Sequence, residues 1–389
     1  MSALRRNACP TLGAPMATGD GLLARLRPAS GSFAPAELAS LARAAARHGN
    51  GILEVTQRGS LQIRGLSEAS ALALGEDVRR MGLAVREGLP VETGPLAGLD
   101  PTERADPRPL AAEIALQATP FVPRLGPKVS VVVDGGGRIG MTRVLADIRL
   151  EAMDNVRWRV SVGGTAETAA ILGIFDPQDA VAEAVRLLEQ LAQHGRLARG
   201  RDLLPADASR PASSETVGTM PQVGVFPLGD GTVARGAALP FGQIDAADLA
   251  ALAETAGADA FRLSLDYTLL LLCTPDKLSP VERAADLAGL ILDPTDPRLR
   301  ISACAGAPAC HAGLLDTKAL AKALAPAIPA GHGKVHLSGC PKRCAEPKAA
   351  VLVEGHEGAV AVNGVSVASG HAVAAIGQAL RERQGQSAA

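Results

Sequence analysis

The sequence predicts a mixed α+β protein assembled from two pseudo-symmetric repeats. Two observations lead there. A strand–loop–helix–strand–strand pattern occurs from Gly19 to Leu66 and again from Gly224 to Leu272, about 200 residues later. Between the copies, Leu204 to Gln222 (LPADASRPASSETVGTMPQ) is rich in Pro, Ser, Ala and Thr and has no apolar period, which marks a linker.

Each element follows from its local pattern. In the first copy, Ser32 or Ala34-Pro35 starts the helix AELASLARAAARHG, whose leucines recur at helical spacing and which stops at Gly49-Asn50. GILEVTQ and LQIRGL then alternate as short strands do. In the second copy Asp245 caps AADLAALAETAG, and the strands are AFRLSL and YTLLLL. Elsewhere Lys128 to Asp134, 146–152 (ADIRLEA) and 158–164 (WRVSVGG) read as strands, and 177–195 as an amphipathic helix. The expected division is 1–75 and 223–283 for the repeated units, 76–203 and 284–389 for the segments after them, and 204–222 for the linker. Gly135-x-Gly137-x-x-Gly140 has the letters of a dinucleotide fingerprint. That fingerprint needs a helix after the glycines to receive the pyrophosphate, and Arg138 to Val144 reads as extended chain.

Composition removes several function classes. The 389 residues suffice for two or three domains, and 39 Lys+Arg against 40 Asp+Glu create no field for nucleic acid or an anionic membrane. Aromatics are 2% of residues, too few for base-stacking platforms, and a hydrophobic content of 47% speaks against disorder. The longest aliphatic run, Leu269 to Cys273, is far short of the roughly 20 residues that span a bilayer. No apolar stretch follows Arg5-Arg6, so no signal peptide is expected. These features suit a cytoplasmic protein without nucleic-acid or membrane partners.

Four of the six cysteines cluster as Cys304-x5-Cys310, then 29 residues, then Cys340-x3-Cys344. Four thiolates from two segments form the ligand set of an iron–sulfur cluster. Ala305 to Ala309 are small enough for the backbone to wrap one closely, and Pro341 in a first helical turn would set Cys340 and Cys344 on one face. Structural zinc competes, although zinc pairs favour gaps of two to four residues. Inert buried thiols are the remaining alternative. His311, His332 and His336 stand near enough to ligate or to hydrogen-bond, while Cys9 and Cys273 have no partner at metal spacing and read as structural.

Side chains alternate across a strand, so Arg58, Ser60, Gln62 and Arg64 are expected to share one face, with Leu61 and Ile63 on the other. Two arginines and a glutamine backed by an apolar face suit an anion-binding groove, with a solvated sheet face as the alternative. The second copy, Arg262-Leu-Ser-Leu-Asp-Tyr267, has no counterpart of Arg58 or Arg64, so only one half is expected to bind anions this way.

These residues resemble the siroheme-dependent nitrite and sulfite reductase superfamily, whose mark is a C-x5-C…C-x3-C set binding a [4Fe-4S] cluster. The resemblance implies that each repeat is a ferredoxin-like half plus an α/β nitrite/sulfite-reductase-like lobe, with the cluster in the second lobe. It implies Cys304, Cys310, Cys340 and Cys344 as ligands. Thr56-Gln-Arg58-Gly-Ser-Leu-Gln62-Ile-Arg64-Gly65 is similar to the superfamily's T-x-R-x-x-ϕ-Q-ϕ-x-G strand, whose Arg faces the tetrapyrrole and substrate. Val122-Pro123-Arg124-Leu-Gly-Pro-Lys128 resembles its basic L-P-R-K-F-K loop. Arg58, Gln62, Arg64, Arg124 and Lys128 are thereby implied as substrate-binding residues; no catalytic residue is singled out.

Departures from the reductases point to one branch. Leu89-Pro-Val91 occupies the stretch of their second active-site Arg, the basic loop lacks one lysine, and Lys342 stands where Asn is usual. Arg6-Asn-Ala-Cys9-Pro10 and the G-C-x-K-x-C-A form resemble the cobalamin-pathway branch, which oxidises precorrin-3A with O2 by C20 hydroxylation and lactone formation. The resemblance implies a [4Fe-4S] cluster and either a mononuclear non-haem iron or a siroheme-like tetrapyrrole. With no NADH site legible, a separate reductase or ferredoxin is expected to pass on electrons drawn from NADH. A siroheme-dependent nitrite or sulfite reductase and a non-enzymatic zinc-stabilised binding module are the competing expectations.

Overall fold

The computed structural model describes residues 10–204, 222–328, 334–342, 349 and 351–387. Local signals start the helices where the sequence places them. Glu37 turns its carboxylate back to accept the Ala34 N–H at 2.8 Å, so the first helix, Pro35–His48, begins after Ala34. Asp245 accepts the Ala247 N–H at 2.8 Å and starts Ala246–Thr255. Each helix buries one apolar stripe, including Leu38 and Leu41 in the first and Leu249 and Leu252 in the second.

These helices lie on two antiparallel sheets. The first runs Met16–Thr18, Gly21–Leu26, Leu61–Leu66, Ile52–Val55 and Gln243–Asp245. The second runs Gly224–Pro227, Val233–Ala238, Thr268–Cys273 and Ala260–Leu263. The shared strand order makes the sequence repeat a structural one. The copies are interlocked, because Gln243–Asp245 of the second copy pairs with Ile52–Val55 of the first and Phe33 bridges Phe261 in return. The helices pack against each other and one core serves both copies.

A second pair of sheets carries the repeat further. Val91–Thr93, Val131–Asp134 and Ala146–Ala152 are parallel, followed by antiparallel Trp158–Gly164 and Ala170–Phe175. Ile301–Ala303, Val335–Ser338 and Val351–His356 are likewise parallel, followed by antiparallel Ala359–Val362 and Val365–Ala368. Arg108–Ala118 and Pro177–His194 cover the one, Thr317–Leu324 and Ala372–Ser387 the other.

Three expectations shift in detail. Glu68–Arg80 and Leu278–Leu287 run through positions 75 and 283 and bury Leu74, Val78, Val281 and Ala285 in the common core, so these helices belong with the sheets before them. The strand expected from Lys128 starts at Val131, because Val129 N–H turns back to the Gly126 carbonyl at 3.1 Å. After Gly135–Gly140 the chain continues as loop into Ala146–Ala152 with no helix, and Asp134 folds that loop by accepting the Gly136 and Met141 N–H groups at 3.0 and 2.7 Å. The expected linker falls outside the described residues apart from its two ends. No helix among the described residues is long and apolar enough to cross a membrane.

Candidate functional site

Cys304 and Cys340 leave the same end of two adjacent parallel strands, since Ala303 is in register with Leu337. Cys304 N–H extends the ladder to the Leu337 carbonyl at 3.0 Å, and Gly339 N–H donates to Cys304 Sγ at 3.1 Å. The chain between the first two cysteines coils tightly: Cys310 N–H donates to the Gly306 carbonyl at 2.7 Å, and Leu314 N–H to the Gly339 carbonyl at 2.7 Å. Only glycine fits two of these positions. A Cβ on Gly306, at φ +61°, would stand 2.5 Å from Thr317 Oγ1, and one on Gly339 would stand 2.8 Å from the Gly306 Cα. Cys304 and Cys310 are half-buried, Cys340 is buried, and none of the three is in a disulfide.

Cys304 and Cys310 open onto a cleft of about 650 Å³. The donors fit an iron–sulfur cluster chemically, as soft thiolates held by a glycine-rich backbone that directs an N–H at one sulfur. Cys344, Cys9 and His332 lie outside the described residues, and within the described residues no three His, Cys, Asp or Glu side chains gather as a metal site. Of the other histidines, His311 lines the cleft, while His336 is buried and hydrogen-bonded to Ser302 Oγ at 2.7 Å.

The first sheet forms the opposite wall. Gln62 and Arg64 face the cleft while Leu61 and Ile63 fill the core. Gln62 Nε2 donates to Glu54 Oε2 at 2.8 Å, and Arg25 Nη2 donates to Gln62 Oε1 at 2.5 Å. Arg64 is 4% exposed and paired with Asp20 at 3.0 Å and Glu54 at 3.5 Å, and its Nη2 donates to the Ala309 carbonyl at 2.6 Å. It therefore ties the sheet to the cysteine loop from inside the protein. Burial opposes ionisation of Asp20, but hydrogen bonds from Arg64 and Thr18 outweigh it and hold the carboxyl below the usual range. Lys318 closes the floor of the cleft, donating from Nζ to the carbonyls of Phe241 at 2.5 Å and Ala303 at 3.2 Å. Burial pushes its ammonium below the ordinary lysine value, opposed by Glu54 and Cys304.

Arg58 corrects the strand arithmetic. The strand begins at Leu61, so Arg58 sits in the preceding hairpin turn and points into a different cavity of about 410 Å³. Gln57, its neighbour, lines the cysteine cleft. Arg124 and Lys128 are exposed and line neither cavity; Arg124 instead stacks on Phe121, 5.7 Å from the ring centre. The structure thus gathers Gln62, Arg64, Cys304 and Cys310 at one cleft, and leaves Arg58, Arg124 and Lys128 elsewhere.

Sequence reasoning passed over Arg25, Arg27, Lys318 and Arg262, all of which line a cavity. The alternation Arg25-Leu-Arg27 in a strand was a usable signal. Nothing local distinguishes Lys318 on its helix from Lys322.

Residues 14–80 match the family model of the nitrite/sulfite reductase ferredoxin-like half domain. The chain is 40% identical over 371 residues to a precorrin-3B synthase of a Sinorhizobium species, an alignment that covers 90% of this chain and 81% of that protein. It is 26% identical to a ferredoxin–nitrite reductase of Synechococcus elongatus, over 84% of this chain and 75% of the relative. The solved structure of the NirA protein of Mycobacterium tuberculosis superposes with a TM-score of 0.68, covering 88% of this chain and 74% of that one at 21% identity. That identity makes the likeness one of fold, and the mixed α+β architecture with a ferredoxin-like half near the N-terminus is as the sequence predicts.

Proposed function

The chain belongs to the precorrin-3B synthase family of oxidoreductases, and from that membership we propose that it converts precorrin-3A to precorrin-3B in cobalamin biosynthesis. The observation that carries this reading is the cleft of about 650 Å³ with cysteine sulfurs on one wall and a hydrogen-bonded amide and guanidinium wall opposite. The net reaction takes one O2, two electrons and two protons. One oxygen enters the substrate as the C20 hydroxyl, an existing carboxylate closes the lactone on another ring carbon, and the other oxygen leaves as water. Cys304, Cys310, Cys340 and Cys344 would hold a [4Fe-4S] cluster, which supplies single-electron transfer when bound. A non-haem iron or siroheme-like tetrapyrrole and an electron-donating reductase or ferredoxin, fed ultimately by NADH, complete the proposal.

The chain's own residues bind and orient. Met16, Leu23, Val55 and Phe241 offer apolar surface to a macrocycle, while Gln62, fixed between Glu54 and Arg25, presents a preset polar edge. Arg64 acts through Asp20 and the Ala309 carbonyl, holding the sheet and the cysteine loop at a constant gap. Arg58 is proposed to meet a peripheral carboxylate, and Arg124 and Lys128, both exposed, to act as outer cations at most. Leu89, which stands in the stretch of the reductases' second Arg, lines the second cavity.

Oxygen-dependent conversion of precorrin-3A by anaerobically purified, cluster-loaded protein with an artificial electron donor tests the reading. A product heavier by one oxygen atom supports it; no conversion by protein with full iron content overturns it. A siroheme band persisting in substrate-free protein would favour a nitrite or sulfite reductase instead.

A further inference from the structure

The second cavity carries more positive charge than its own carboxylates neutralise. Five arginines line it, against Glu87 and Glu92. Glu92 takes ion pairs from both Arg27 and Arg86, and Arg108 is held by Asp106 at 2.7 Å. Arg58 and Arg262 are different. Among the described residues, Arg58 donates to the Leu145 carbonyl and Arg262 Nη1 to the Pro95 carbonyl at 3.0 Å, and neither meets a carboxylate. The Arg262 Nε is buried with no acceptor. Burial pushes the Arg262 guanidinium below its ordinary value, and the nearby Arg108 charge adds to the effect. Glu103 opposes that shift from a distance but makes no ion pair with Arg262. A largely enclosed cation with no carboxylate in contact is costly, and an anionic ligand lowers the cost.

Packing between the two repeats builds this arrangement. The Thr56–Ser60 turn docks on the end of the Ala260–Leu263 strand: a Cβ on Gly59 would stand 3.0 Å from the Ser264 carbonyl oxygen, and Asp266 N–H donates to the Gln57 carbonyl at 2.9 Å. That contact brings Arg58 of one copy and Arg262 of the other to the same space. It also makes the turn a shared wall, with Gln57 on the cysteine cleft and Arg58 on this cavity. Leu89, Val91, Leu263 and Leu265 line the cavity as well and lower its polarity, which strengthens an ion pair inside it.

We propose that this second cavity is a carboxylate-binding site in which Arg262, with Arg58, supplies the guanidinium partners. A planar guanidinium matches a carboxylate in two parallel hydrogen bonds. The carboxylate is either an arm of the substrate, an assignment that rests on the proposed function, or a free small carboxylate.

Thermal unfolding of the full chain in excess citrate, against sodium chloride at equal ionic strength, tests the site without reference to any tetrapyrrole. Citrate also stabilises proteins by exclusion from their surface, which acts alike on parent and variant, so the difference between them is the readout. The expected result is that citrate raises the midpoint of the parent by about 2 °C more than that of Arg262→Gln. Arg58→Gln, in an exposed turn, serves if Arg262→Gln does not fold. Equal shifts in parent and variant, or none in either, overturn the proposal. Steady-state kinetics then separate the sources. A KM for precorrin-3A raised roughly tenfold in Arg262→Gln assigns the carboxylate to the substrate. An unchanged KM beside a lost citrate shift assigns it to a free carboxylate. Should the parent fail to turn over precorrin-3A, the proposed function falls while the citrate result stands.

Discussion

Arg64 donates a 2.6 Å hydrogen bond to the carbonyl oxygen of Ala309, 245 residues further along the chain. One buried guanidinium thereby joins the strand Leu61–Leu66, two carboxylates and the loop that delivers Cys310. Arg64→Met would leave Asp20 and Glu54 without their cation. Stability to urea should fall by about 3 kcal/mol, and the iron content of purified protein should drop with it. A loss below about 1 kcal/mol would mean that the pairing contributes as little as a surface one. The Asp20 carboxyl lies below its ordinary value in the folded state, so its contribution is present above the unfolded value and fades as the pH falls through the folded one.

The cysteine assignment is tested by serine replacement. Cys304→Ser, Cys310→Ser, Cys340→Ser and Cys344→Ser should each reduce iron from about four atoms per chain to near zero, together with acid-labile sulfide. Cys273, buried at the end of Thr268–Cys273, is the control, and Cys273→Ser should retain the metal. Full iron in any of the first four variants removes that residue from the ligand set.

Lys318 bridges two chain segments, with Phe241 on one side and Ala303, next to Cys304, on the other. Lys318→Met keeps the aliphatic stem and deletes both charge-assisted hydrogen bonds. Denaturant titration should show about 2 kcal/mol less stability. An unchanged midpoint would show that water replaces the ammonium at no cost.

Glu103 should govern a pH dependence. Burial, joined by the charges of Asp106, Asp100 and Asp134, raises its pKa to about 7, although it accepts the Gly98 N–H at 2.7 Å. The folded state therefore holds this proton more tightly than the unfolded chain. Its effect on stability is absent at low pH and becomes unfavourable as the pH rises from about 4.5 to about 7. Glu103→Gln retains an acceptor for Gly98 and should flatten the stability profile across that range, as read from unfolding midpoints at stepped pH. An identical slope in the variant would assign the titration to another group.

Much of the architecture was legible because its determinants are local. Asp245 and the Ala34-Pro35 start, the leucine spacing of both helices and the alternation of LQIRGL each act within a few residues. The site was legible in part. Cys304 and Cys310 announce themselves by spacing, and Gln62 and Arg64 share a face as strand geometry requires. Arg58 did not follow, because the strand ends before reaching it: alternation cannot show where a hairpin turn begins. Arg124 and Lys128 came from a loop resemblance, and nothing in their neighbourhood tells which way such a loop folds.

By itself, then, the sequence determined the duplicated α+β plan, the spacing of its cysteines and the family. Tertiary structure alone decided that Arg64 is a buried tie, that Lys318 floors the cleft, and that Arg58 and Arg262 share a cavity. The physical reason is that a side chain's charge and spacing are written in the chain, while its burial and partners depend on which distant segment packs over it.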